Sequence, residues 1–210
     1  MLFERCCTNA SEVAEAFDFG AGRVELCERL ELGGVTPSRE NIESSLTVGK
    51  PVNVLVRPRG GDFVYSGEEI EDMLGSIRLC RKLGVQGVVI GALNRDGSIC
   101  EDTVRMLVSE AKSGENPLGV TFHRAFDECT DPMGSMEKII KLGCDRILTS
   151  GQRPTAPEGC DLIAELVKKS AGRIIIMPGS GVTPDNVEWL ASRTGATEFH
   201  GTRLCKKKTE

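Results

Sequence analysis

Two stretches of this chain end a short apolar run in a cluster of groups able to bind anions or move protons. One is Val52-Asn53-Val54-Leu55-Val56-Arg57-Pro58-Arg59-Gly60-Gly61-Asp62, and the other is Gly119-Val120-Thr121-Phe122-His123-Arg124-Ala125-Phe126-Asp127. Arg57, Arg59 and Arg124 gather positive charge in a protein whose formal net charge is -5, a contrast that favours an anionic ligand. His123 has the residue type for general acid–base work, with Glu25 or Asp127 setting its protonation. Gly179-Ser180-Gly181, followed by Thr183-Pro184, has the composition of a loop that cradles an oxyanion in its backbone amides, which makes Gly179 and Gly181 candidate anion-binding positions. A turn rich in glycine often only turns, and a lone histidine is often structural.

Composition narrows the setting. At 210 residues a single domain with a sizeable core is expected, spanning residues 1–210 with a polar tail over 202–210. Aromatic residues make up only 4%, so Ile, Leu, Val, Ala and Met must fill the core, as in parallel-sheet proteins. The acidic balance argues against a general nucleic-acid or anionic-membrane surface, and Lys206–Lys208 reads as a solvated end. The nine cysteines are odd in number and contain no Cys-x-x-Cys pair. With no signal-peptide pattern and no apolar run of spanning length, free thiols in a reducing cytoplasm are expected.

The elements that must position these groups alternate regularly. Strands are expected at Leu2–Cys7, Arg23–Cys27, Val52–Arg57, Gly87–Ile90, Gly119–His123, Asp145–Thr149, Ile174–Met177 and Glu198–Gly201. Between them, Ile70, Met73, Leu74, Ile77, Cys80 and Leu83 recur at helical steps, behind a capping box of Ser66 and Glu69. Thr36-Pro37, Asp131-Pro132 and Thr183-Pro184 read as helix starts, while Gly84, Gly143, Gly172 and Gly195 read as helix ends. Eight strands alternating with helices in this length predict an α/β fold, a (β/α)8 TIM barrel with ligands at the strand exits. The eighth outer helix is missing from the pattern, because Thr202–Glu210 is short and polar. Apolar surface at that gap would favour a homodimer or higher homo-oligomer.

Alternation along each strand assigns the interior. It turns Glu4 and Cys6 inward on the first strand, Glu25 and Cys27 on the second, and Asn53, Leu55 and Arg57 on the third. Thr121 and His123 follow on the fifth, and Glu198 and His200 on the eighth. So many ionisable groups inside a barrel must either neutralise one another, as a Glu–Arg network, or bind something.

These residues together resemble the copper homeostasis protein CutC family. The similarity runs through Phe3-Glu4-Arg5-Cys6-Cys7, Arg23-Val24-Glu25-Leu26-Cys27, Gly33-Gly34-Val35-Thr36-Pro37-Ser38 and Arg57 to Ser66. It continues through Gly91-Ala92-Leu93, Thr121 to Asp127, Arg146 to Gly151, Met177 to Val182 and Thr197 to His200. The resemblance implies a TIM barrel, a cytoplasmic location and a role linked to copper. Two departures stand out: Arg5 replaces a usual apolar residue, and the sequence stops where the family continues into a further polar segment and final helix.

Three functions compete at this stage. Cys6 and Cys27, inward on adjacent strands and matching cysteines of the family's motifs, are candidate metal ligands for Cu(I), a soft ion suited to thiolates. Cys80, Cys100, Cys129, Cys144, Cys160 and Cys205 read as ordinary small hydrophobes. The alternative is a lyase, isomerase or hydrolase acting on a small anionic or phosphorylated metabolite, with Glu25, His123 and Asp127 as its catalytic candidates. The third is a scaffold whose interior is merely polar.

Overall fold

The computed structural model describes residues 1–202; Cys205 and Lys206–Lys208 lie outside the described residues. Eight parallel strands form one sheet: β1 Leu2–Cys7, β2 Arg23–Leu26, β3 Val52–Leu55, β4 Gly87–Ile90, β5 Gly119–Phe122, β6 Arg146–Thr149, β7 Ile175–Pro178 and β8 Glu198–Gly201. Their order is β7-β6-β5-β4-β3-β2-β1-β8, so the sheet curls into a nearly closed barrel. Leu2 to Arg5 of β1 pair with Glu198 to Gly201 of β8, bringing the two ends of the barrel sequence together. No backbone ladder joins β7 to β8 among the described residues. Pro178, which has no N–H to offer, stands on that open edge.

Among the described residues seven α-helices follow the strands: α1 Ala10–Asp18, α2 Arg39–Leu46, α3 Gly67–Leu83, α4 Glu101–Lys112, α5 Pro132–Leu142, α6 Cys160–Ser170 and α7 Val187–Thr194. The Ser66–Glu69 capping box starts α3 and Asp131 caps α5, as their side chains predict. Two starts fall later than the sequence implies. Ser38, not Thr36, caps α2, because its hydroxyl accepts from Asn41 N. At α7 Asn186 takes the cap position, and its side-chain oxygen accepts from Thr183 N.

The outward faces of the strands build the core between barrel and helices. Val24, Leu26, Val54, Val88, Ile90, Val120, Phe122 and Phe199 are fully buried there against residues such as Ile77, Leu107, Ile139 and Leu166. Arg5 turns outward as well. Its guanidinium lies 2.7 Å from Glu15 on α1 and over the Phe19 ring, so the departure from an apolar residue is absorbed by a surface ion pair. This packing leaves the inward faces to the polar residues.

Candidate functional site

The barrel interior divides into a charged floor and a mouth. On the floor, Arg23 at the start of β2 binds Glu4 through Nε, and its Nη2 donates to Glu198 Oε2 at 2.7 Å. Arg146 Nε donates to the same Glu198 oxygen at 2.7 Å, and Asn53 Nδ2 donates to Glu4 at 3.2 Å. His200 Nδ1 meets the other Glu4 oxygen at 2.9 Å. Three cationic groups (Arg23, Arg146 and His200) thus face Glu4, Glu198 and Glu25, a set that is neutral when all are ionised. Burial works against the Glu4 carboxylate, but the hydrogen bond and charge of His200, with Arg23, outweigh it and hold its pKa below the usual range. Burial likewise opposes a charged His200, yet Glu25, Cys6 and Glu4 raise its pKa well above the ordinary value. Glu25 is pushed up, chiefly by burial, and its Oε2 has no hydrogen-bond partner.

Above the floor, two thiols face one another. Cys6 pairs with Glu25 in the β1–β2 register, and Cys27 follows β2 by one residue. This diagonal brings Cys6 Sγ to 3.2 Å from Cys27 Sγ, with both cysteines free. The hydrogen bond to Cys27, and then burial, push the Cys6 thiol far above its ordinary pKa. Ligand atoms of Cys6, Glu25 and Cys27 all lie within 4.8 Å of one another, as do those of Glu4, Glu25 and His200. The first set offers two sulfurs and suits a soft ion; the second offers carboxylates and an imidazole already committed to the floor network.

The thiols open into a cavity of about 460 Å³, whose wall also carries Arg57, Phe63, His123, Arg124, Ser180 and Gly181. Arg57 sits just beyond β3, and the Gly33–Gly34 turn wraps its guanidinium. A side chain at Gly33 would put its Cβ 3.0 Å from Arg57 Nη1, and both glycines have positive φ, so the turn needs residues without a Cβ. His123 follows β5, and its Nδ1 accepts a hydrogen bond from Ala125 N at 3.1 Å. Burial, aided by the Arg57 charge, lowers its pKa to about 3 and keeps the ring neutral.

The sequence profile of the CutC family matches residues 1–205. Family protein CutC from Parabacteroides distasonis is 50% identical over 201 residues, covering 95% of this chain and 81% of its own length. The copper homeostasis protein cutC homolog of Mus musculus is 44% identical over 202 residues, covering 95% and 72%. The crystal structure of a CutC protein from Streptococcus agalactiae superposes with a TM-score of 0.91 at 32% identity, covering 97% of this chain and 99% of that one. The chain belongs to the CutC family. The fold expected for a CutC protein, a barrel of eight parallel strands with seven helices outside among the described residues, is the one found.

In this CutC chain the residues singled out from sequence separate into two groups. Cys6, Glu25, Cys27, Arg57, His123, Arg124 and Gly181 all line the one cavity. Arg59 does not line it. Its guanidinium is held by Glu69 at 2.5 Å, Asp62 at 3.0 Å and the Val64 carbonyl, and it stacks near Tyr65. Asp127 is likewise turned to scaffolding: it accepts from Thr149 Oγ1, the amides of Ser150 and Gln152, and Arg124. Gly179 lies behind the wall, where an added Cβ would strike Leu148 at 2.5 Å.

Three contributors escape the sequence reading. Arg23 and Arg146 stand at strand starts, where charged residues ordinarily mark solvent, yet both turn inward to neutralise the floor. Phe63 packs against both Arg57 and His123, with the Arg57 Cζ 4.8 Å from its ring centroid and the His123 ring 5.0 Å away. The inward parity of β2 would have found Arg23, since it lies two residues from Glu25. No helix among the described residues is long and apolar enough to cross a membrane.

Proposed function

We propose that this CutC family member binds Cu(I) through the sulfurs of Cys6 and Cys27 and thereby takes part in cellular copper handling. The observation that carries this reading is the 3.2 Å approach of two free thiols at the mouth of the barrel. Thiolates are the ligands a soft monovalent ion selects over carboxylates, and two of them satisfy its low coordination number. With metal–thiolate bonds of about 2.3 Å, a linear pair needs sulfurs about 4.6 Å apart, so the two sulfurs must move apart by roughly 1.4 Å to admit the ion. Both protons must leave when it binds, which makes the site tighter as pH rises. The name carried by the mouse relative, a copper homeostasis protein cutC homolog, supports the same reading.

The cytoplasm suits such a site, since a reducing compartment keeps the thiols from closing on each other. X-ray absorption at the copper edge tests the ligand set. The spectrum of the Cu(I)-loaded chain should show a first shell of sulfur; a shell of nitrogen and oxygen alone would remove the thiol pair from the site.

A further inference from the structure

We infer that the cationic part of the mouth cavity is a binding site for a small oxyanion, a carboxylate or phosphate group, held by Arg57, His123 and the Ser180–Gly181 turn. The inference stands apart from the copper reading, since it uses none of the sulfurs.

Arg57 carries the first argument. It is 6% exposed, and no carboxylate pairs with it among the described residues. Its Nη1 donates to the carbonyls of Leu32, Gly33 and Gly34, its Nη2 donates to that of Gly61, and its Nε has no partner. Arg23, the other buried arginine of the interior, has two carboxylates. Besides these carbonyls the guanidinium meets only the Phe63 ring face and the Tyr65 hydroxyl, and a buried charge without a counter-charge is costly. An anion in the cavity supplies the missing counter-charge. Glu25 also lines the cavity, but its charged neighbours are His200, Glu4 and Arg23, which places it with the floor.

His123 supplies the second. It is 5% exposed, and its Nδ1 is occupied as an acceptor from Ala125 N, so the ring proton sits on Nε2. That Nε2–H has no partner. The Phe63 ring packs against both His123 and Arg57, and all three residues line the one cavity. The neutral ring donates without adding a second cation next to Arg57.

The turn after β7 supplies the third. Ser180 and Gly181 have φ of 70° and 69°, and Ser180 is one of four non-glycine residues with positive φ among the described residues. Strain of this kind persists where the surroundings enforce it, often at ligand sites. None of the hydrogen bonds among the described residues uses the amides of Ser180, Gly181 or Val182, all of which line the cavity. Successive free amides in such a turn form an anion-binding nest. Arg124, with Nε on Asp127 and Nη2 on Ser150, adds positive charge at the same mouth. The cavity volume, about 460 Å³, is that of a site for a small metabolite rather than a lone ion.

Calorimetric titration of the chain with inorganic phosphate, and separately with malonate, tests the assignment. At least one of them should saturate a single site, and the preferred anion distinguishes a phosphate-bearing from a carboxylate-bearing ligand. Arg57→Gln and His123→Asn should each weaken binding by about tenfold or more, the usual cost of losing a hydrogen bond to a charged group. The Asn side-chain oxygen can still accept from Ala125 N, so His123→Asn decides the matter if Arg57→Gln fails to fold. Lys168→Gln, on α6 and outside the cavity lining, should leave anion binding unchanged. Saturation by neither anion, or equal affinity in wild type and His123→Asn, overturns the assignment.

Discussion

His200 Nδ1 lies 2.9 Å from Glu4 Oε1, a contact that ties the last strand of the barrel to the first beneath the thiol pair. The same Glu4 is 0% exposed and is also held by Arg23 and Asn53. The floor under Cys6 and Cys27 is therefore an ionic network, and His200 links it to the Cys6 thiol.

Arg23→Met removes the cation shared by Glu4 and Glu198 and leaves two buried carboxylates under-compensated. Urea unfolding should show a loss of about 3–5 kcal/mol, the usual result of breaking a buried pair from one side. A loss below about 1 kcal/mol would mean that Arg146 and His200 suffice to hold the floor.

The second expectation concerns acid. The pKa of His123 is lowered to about 3 by burial and by Arg57, whereas an unfolded histidine titrates near 6.5. The folded state therefore binds fewer protons than the unfolded one as pH falls through this window. Stability from the neutral ring is complete above about pH 6.5 and is lost progressively toward pH 3, by on the order of 2 kcal/mol between pH 7 and pH 4.5. Thermal melts of His123→Asn should show a shallower decline than wild type over that interval; parallel curves would contradict the assignment.

Asp127→Ala tests whether this carboxylate belongs to the scaffold. It should cost about 1–3 kcal/mol, because the Ser150 and Gln152 amides lose their acceptor. Copper affinity should not change. A stable Asp127→Ala protein with impaired ligand binding would return Asp127 to the site.

How far the sequence reaches is clearest from particular residues. Period-2 alternation placed Glu4, Cys6, Glu25, Cys27, Arg57, His123 and His200 inside, and the structure finds all seven buried or half-buried there. Parity is a local property, so it survives without any tertiary information. Arg59 and Asp127 were legible only as residues at strand exits. Their partners, Glu69 ten residues on and the Ser150 amide 23 residues on, are set by how loops fold back, which no local pattern encodes. Arg23 was within reach of β2 parity, two residues before Glu25, and only its partner Glu198, 175 residues away, lay beyond any local pattern. The β7–β8 seam also escaped, because hydrogen-bonding across a barrel's last joint depends on closure of the whole sheet.

The most direct test of the copper reading is a Cu(I) titration against a competing chelator under reducing conditions. Wild type, Cys6→Ser, Cys27→Ser and the buried control Cys80→Ser should be compared at one pH. The account predicts one Cu(I) per chain, an affinity reduced by about a hundredfold or more in either Cys6→Ser or Cys27→Ser, as expected for losing one of two soft ligands, and no change in Cys80→Ser. Wild-type affinity in both Cys6→Ser and Cys27→Ser would contradict it.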